Sequence, residues 1–271
     1  MKKLRRLGDI SRKTWDALAE EDARFYILTA EEKKGGSWNL DEFLETGRNQ
    51  WQQFKNLMSH YGLERVYLSK GIALDLGCGT GRLVLAMCHD FKRVIGVDVS
   101  QRMIEQANVN KRLLKINKVE FQANNGVDLA NISAQSVDFC FSYLTLQHCP
   151  SKQQVLHYIG EFSRVLKPNG VALFQFRVAP SRFIYLKFIA SKTKTKLLSR
   201  LFKRKGENYA SLDAFAGNKV PLSEAYREIG KHFQAYYLIQ TPVELYQDRF
   251  WELSSETERW KRSFWLCIKG Q

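Results

Sequence analysis

The chain has 271 residues, 44% hydrophobic and 13% aromatic, enough for one large domain with a full core. It has no uncharged apolar run of about 18 residues, so no spanning helix is expected, and its basic start, Met1 to Arg6, leads into Asp9, Arg12 and Lys13 rather than an apolar stretch, which argues against a secretory signal. A formal net charge of +14 favours acidic partners, while five cysteines without C-x-x-C pairing point to a reducing, cytoplasmic setting and no metal site.

Residues 1–13 read as a basic, mobile arm. A short amphipathic segment follows from Thr14, with Trp15, Leu18 and Ala19 to one side and then Phe25 to Leu28. After the polar break at residues 31–37, Asn39 is a candidate N-cap with Glu42 three residues on. Phe43, Leu44, Gly47, Trp51, Phe54, Met58 and Tyr61 recur at helical steps, and Gly62 supplies the stop. This aromatic preface, residues 1–65, either pads one face of a sheet or lies over a ligand as a helical cap. Trp38, in the break between the two segments, is the candidate lid and acceptor-pocket residue.

The most informative stretch is Ile72-Ala73-Leu74-Asp75-Leu76-Gly77-Cys78-Gly79-Thr80-Gly81-Arg82. A strand-length apolar run meets an acid and three alternate glycines, and a helical pattern begins at Leu83. Glycines so placed let the backbone take positive φ and admit a close neighbour. The spacing is G-x-G-x-G, not the G-x-G-x-x-G of pyrophosphate-binding loops, and Asp75 would repel a pyrophosphate while suiting a cationic amino-acid group. A second strand, Arg93 to Asp98, ends in an acid 23 positions after Asp75. A carboxylate there can accept from both hydroxyls of an adenosine ribose. Ser100 can cap the next helix, on which Met103 and Ile104 open an apolar face.

The segment Asp75-Leu76-Gly77-Cys78-Gly79-Thr80-Gly81 resembles motif I of the class I S-adenosylmethionine-dependent methyltransferases, (D/E)-x-G-x-G-x-G, without a departure. The similarity covers residues 66–177 well and the preface more loosely. It implies an α/β, Rossmann-like, doubly wound sheet of seven strands, mostly parallel, closed by a C-terminal antiparallel hairpin. It also implies S-adenosylmethionine as the cofactor, with no metal, held by Asp75, Gly77, Cys78, Gly79, Gly81, Arg82, Asp98, Val99, Met103, Asn125, Gly126, Ser142 and Tyr143.

The third strand, from Val119, exits through Asn124-Asn125-Gly126, where many members of the family place an acid against the adenine amino group. An asparagine amide can serve N6 and N1 instead, though the tripeptide also reads as a plain turn. The fourth strand, Ser136 to Tyr143, runs into Leu144-Thr145-Leu146-Gln147-His148-Cys149-Pro150. In a doubly wound sheet that loop is where a methyl acceptor should meet the donor. His148 is the candidate general base, with a helix-start or supporting role as the alternative, and Gln147 is a candidate pocket residue. Tyr143 lines the pocket or meets the methionine end. No Asn/Asp-Pro-Pro-Tyr run follows the fourth strand, which argues against an amino-adenine or glutamine substrate. Cys149-Pro150 reverses the Pro-Cys of cytosine C5 enzymes.

A helix from about Lys152 to Leu166, a turn at residues 167–170 and a fifth strand at residues 171–176 follow. Residues 178–222 form a basic insertion, and between Phe162 and Gly206 there is no Asp or Glu. Residues 182–205 interleave lysines and arginines with apolar side chains. They are read as a water-facing cap or as a contact for an anionic substrate, RNA or a membrane surface. Residues 223–271 are expected to give one helix and the two closing strands. The expected activity is methyl transfer to oxygen or nitrogen of a small molecule. Transfer to RNA or a membrane-bound lipid, and non-catalytic binding of the cofactor, remain the alternatives.

Overall fold

The computed structural model describes residues 2–179, 218–239 and 264–271. The basic stretch 182–205 and most of the insertion at 178–222 lie outside them. Strands β1 (Ile72–Leu76), β2 (Arg93–Asp98), β3 (Val119–Ala123), β4 (Val137–Ser142) and β5 (Leu166–Gln175) pair in parallel in the order β3-β2-β1-β4-β5. Two two-residue strands, β6 (Val178–Ala179) and β7 (Val220–Pro221), pair separately. The main sheet closes with β8 (Ala235–Ile239) and β9 (Phe264–Ile268); β9 runs antiparallel to both β5 and β8. This is the expected seven-stranded sheet, and its order reverses between β1 and β4, the place where doubly wound sheets bind ligands at the carboxyl ends of their strands.

Alternation along the buried strands divides the core. Ala73, Phe139, Phe141, Val171, Leu173 and Leu266 face one layer, where α2 (Leu40–His60) and α4 (Arg82–Met87) pack. Leu74, Leu76, Cys140, Ala172, Phe174 and Trp265 face the other, against α6 (Lys152–Val165) and α7 (Leu222–His232). The α5 helix (Gln101–Leu113) begins at Ser100, whose hydroxyl accepts from Met103 N–H at 3.1 Å. α2 starts where the sequence predicts: Asn39 accepts from Asp41 N–H at 2.8 Å, and Gly62 takes a positive φ beyond its end. α3 (Arg65–Leu68) then leads into β1. The expected turn at residues 167–170 is an irregular start to β5, with Asn169 at φ 61° and a register shift opposite Val137 and Phe139.

The N-terminus corrects one expectation. Residues 2–13 of the expected mobile arm 1–13 are helical instead, because α1 runs from Lys2 to Ile27. Its first half is held by a close approach: Gly8 is buried on the Asn125 carbonyl, and a Cβ on Gly126 would sit 2.9 Å from the Gly8 Cα. A methyl group at either glycine would force the helix off the loop. Asp22 leaves helical geometry and kinks α1, and its carboxylate accepts from Phe25 N–H at 3.2 Å and Gly36 N–H at 2.6 Å. It therefore caps the last turn of the helix and ties down the break after it.

Candidate active site

The loop after β1 turns through Gly77, Gly79 and Gly81, with φ of 81°, 52° and 90°. Gly77 and Cys78 both donate to the Val97 carbonyl, which locks the loop to β2. A side chain at Gly77 would collide with Thr145, one at Gly79 would lie 2.6 Å from Ile27 Cδ1, and one at Gly81 2.6 Å from Phe121 Cζ. The glycines thus admit neighbours from α1, β3 and the loop after β4, as well as any ligand.

Asp98, at the end of β2, is 9% exposed. Gly79 N–H donates to its Oδ2 and Ser100 N–H to its Oδ1, each at 2.9 Å. Burial raises its pKa, and the backbone donors oppose that rise. The carboxylate is therefore aimed by two backbone amides while keeping lone pairs for a diol.

Asp75 is more unusual. It is 3% exposed, and its pKa is pushed up to about 8, first by burial and then by Asp98, with Arg82 acting in the opposite sense. No hydrogen-bond donor is among these influences. A buried carboxylate so placed calls for a proton or a cation. Arg82 is itself buried, its Nη1 donating to Thr46 Oγ1 of α2 at 3.2 Å. The set of groups thus fits an adenosine that carries an ammonium: a glycine cradle, an aimed carboxylate for a ribose and a buried acid that a positive charge would ionise.

The remaining cofactor candidates divide by what they touch. Ser142 donates to the Leu76 carbonyl at 2.9 Å, pinning β4 to the start of the glycine loop. Cys78 is buried and stays a thiol, because burial raises its pKa well above the ordinary value. Met103 packs on Ala19 and Ala23 of α1, and the Val99 side chain lies beside Gly126. Asn125 accepts from Val127 and Asp128 N–H and donates to the Asp128 carboxylate. Asn124 accepts from Gly126 N–H and donates to the Tyr158 hydroxyl. Both asparagine side chains thus hydrogen-bond within or beside their own turn. Gln154 of α6 donates to the Gly126 carbonyl and buries an unpartnered Oε1 beside the turn.

α1 crosses this whole edge. Asp16 accepts from Ser100 Oγ at 2.6 Å and from Arg102 N–H at 3.2 Å, and Trp15 meets His148 edge-on at 5.4 Å. Sequence reasoning missed Gly8, Asp16 and Ile27. They act on partners about 50 to 120 positions away, and no local spacing marks them. Trp38 is not an exposed lid. It is 7% exposed, donates from Nε1 to the Leu28 carbonyl at 3.1 Å and packs on Phe43, so it clamps α1 to α2. Its apolar ring finds more burial in the core than a mobile position would give it.

His148 closes a 3-10 turn at Leu146–His148. Its Nε2 lies 3.1 Å from Gln147 Nε2. As an amide nitrogen only donates, this contact leaves Nε2 as the lone-pair nitrogen. Tyr143 stacks on Phe264 at 5.6 Å and meets Phe54 edge-on at 5.1 Å. Gln175, at the end of β5, was not singled out from the sequence. It is fully buried, and neither end of its carboxamide has a partner among the described residues. Such orphaned groups cost about 1–3 kcal/mol each. The visible signal was a lone amide inside Val171-Ala172-Leu173-Phe174-Gln175-Phe176.

Residues 74–174 match the family model described as a methyltransferase domain. A probable S-adenosylmethionine-dependent methyltransferase of Saccharomyces cerevisiae is 32% identical over 109 residues, 40% of this chain and 36% of that protein. A malonyl-[acyl-carrier protein] O-methyltransferase of Methylovorus is 29% identical over 118 residues, 41% of this chain and 38% of that protein. The chain spans little more than a third of the length of these curated relatives. Among solved structures, magnesium protoporphyrin IX methyltransferase of Synechocystis, with bound S-adenosylhomocysteine, is similar over 97% of this chain and 99% of its own, with a TM-score of 0.56 at 14% identity. Phosphoethanolamine N-methyltransferase 1 of Haemonchus contortus is similar over 97% of this chain and 49% of its own, with a TM-score of 0.59 at 16% identity. At these identities the structural likeness establishes the fold.

Proposed function

We propose that this chain, whose residues 74–174 match a methyltransferase-domain model, is a class I S-adenosylmethionine-dependent methyltransferase that transfers a methyl group to oxygen or nitrogen of a small-molecule acceptor. The observation that carries the reading is the joint placement of the Gly77 to Gly81 loop, Asp75 and Asp98 at the reversal of strand order. When bound, S-adenosylmethionine supplies a methyl carbon already activated by its sulfonium, so alignment matters more than proton transfer.

In this reading Asp98 accepts from the ribose hydroxyls, held in aim by Gly79 and Ser100 N–H. Asp75 gives up its proton and takes the ammonium of the methionine moiety. α1, anchored by Asp16 on Ser100 and by Gly8 on Asn125, covers the adenosine side and excludes water. For an acceptor that arrives protonated, Nε2 of His148 receives the proton once the Gln147 amide, which donates to that lone pair in this structure, has turned away. Acceptors that arrive as free amines or phenolates leave His148 as a positioning residue.

Titration calorimetry with S-adenosylmethionine, followed by methyl-labelled S-adenosylmethionine added with a metabolite extract, tests the reading. The expected result is saturable binding and transfer of label to a small molecule. Absence of binding overturns the cofactor assignment. Binding without any labelled product supports the non-catalytic alternative.

A further inference from the structure

Gln175 is the last residue of β5, and the register fixes its company. Phe141 pairs with Leu173 and Ser142 with Phe174, so Tyr143 continues the row beside Gln175 on the β4 side. On the other side Gln175 pairs with Phe264, which pairs with Ile239. Val171 and Leu173 face the layer of α2, and alternation turns Gln175 to the same face. Across the carboxyl edge of the sheet the row therefore reads Tyr143, Gln175, Phe264, Ile239, with Phe54 of α2 against both aromatic rings.

We propose that Gln175 reads the methyl acceptor: its carboxamide hydrogen-bonds a neutral polar group, a carbonyl, amide or hydroxyl, on a flat apolar acceptor held against Tyr143, Phe54 and Phe264. This rests on the methyltransferase reading above and names the acceptor chemistry within it. Three observations support it. The carboxamide is fully buried with both Oε1 and Nε2 unpartnered among the described residues, so exchanging the two atoms satisfies neither. A Leu or Met would fill the same space in an aromatic row without that cost, and a ligand supplies the missing partner. The residue also stands at the end of the sheet where the loop after β4 begins, the side of the strand-order reversal left over by the glycine loop. Finally, the amide carries no net charge and its row is apolar, which favours a neutral group over a phosphate or carboxylate. Arg82, a buried cation on that face, is already set against Asp75 and Thr46. Gln175 is fully buried in this structure, so the acceptor reaches it only if a neighbouring group moves.

The test uses the full chain with methyl-labelled S-adenosylmethionine and two probe panels. One holds neutral hydroxylated aromatics, phenols and hydroxyquinolones; the other holds phosphoethanolamine and medium-chain fatty acids. Label is expected in members of the neutral panel. Q175M is expected to raise KM for that acceptor by about tenfold, with KM for the donor unchanged and Tm raised, since the buried orphaned amide is removed. Label confined to the charged panel, an unchanged acceptor KM in Q175M, or loss of folding in both Q175M and Q175L overturns the proposal while leaving the methyltransferase reading in place. A protein that binds the donor yet labels neither panel overturns it too. If a metabolite extract also stays unlabelled, the transfer reading falls with it.

Discussion

The two halves of the proposed site are built from different materials. Around β1 and β2 the groups are charged or backbone: two buried carboxylates, three glycines at positive φ, and amides from Gly79 and Ser100 pointed at Asp98. Around β4, β5 and β9 the walls are rings, Tyr143, Phe54 and Phe264, with one unpartnered amide among them. The first half suits a ligand of invariant shape and charge. The second suits shape selection with a single polar check. In the proposed reading, the first half keeps one donor while the acceptor is set by a few side chains of the second.

The largest expected effect separates the halves most sharply. Asp98→Ala removes an acceptor that would serve two ribose hydroxyls, each charge-assisted bond being worth about 1.5–3 kcal/mol. Calorimetry should show donor affinity falling more than about a hundredfold, and unchanged affinity would break the assignment. His148→Ala acts on the other half. If Nε2 takes the acceptor's proton, kcat falls by about a hundredfold with donor affinity intact; an unaltered rate leaves His148 a structural neighbour of Trp15.

Asp75→Asn comes next and carries a pH signature. The folded-state pKa of about 8 lies above the unfolded value of about 4, so the folded protein holds the extra proton between them. Stability of the ligand-free protein is therefore undiminished below about pH 4 and falls as pH rises toward 8. Asp75→Asn should remove that slope and raise Tm most at pH 8. It should also weaken donor binding by about tenfold, since the ammonium loses its partner. In the unaltered protein, donor binding should release a proton and strengthen as pH rises toward 8. A pH-independent affinity would show that no ammonium pairs with Asp75.

Asp16→Ala is the smallest change. It strips the acceptor from Ser100 Oγ and Arg102 N–H at the start of α5, a loss of about 1 kcal/mol. Hydrogen exchange in α1 should quicken while the sheet amides stay protected. Equal protection in α1 would mean that Gly8 and the Ala19, Ala23 and Met103 contacts suffice to hold it.

How far the sequence could be read follows the same division. The strand, loop and acid from Ile72 to Gly81, Asp98, the Asn39 cap and the closing strands were all visible, because each depends on contacts within a few residues. α1 was half visible. Its basic first turns carry few apolar residues, and what orders them is a glycine resting on a loop more than a hundred residues away. Trp38 in a polar break suggested a lid, but its indole found the Leu28 carbonyl and the Phe43 ring instead. For the Asn124-Asn125-Gly126 turn, the partners of the amides depend on where Asp128 and Tyr158 come to lie, which the sequence does not mark.

By itself, then, the sequence determined the β1–β2 half of the proposed site. Glycine spacing and strand-end acids are local requirements of backbone conformation and charge, so they leave a pattern that can be read without the fold. Only the tertiary structure decided the β4–β5 half of the proposed site and the placement of α1. Gln175, Tyr143 and Phe264 become one row through strand register, and Asp16 meets Ser100 only when α1 lies across the sheet. Such contacts join positions with no common period, because register and helix placement are set by the packing of the whole core.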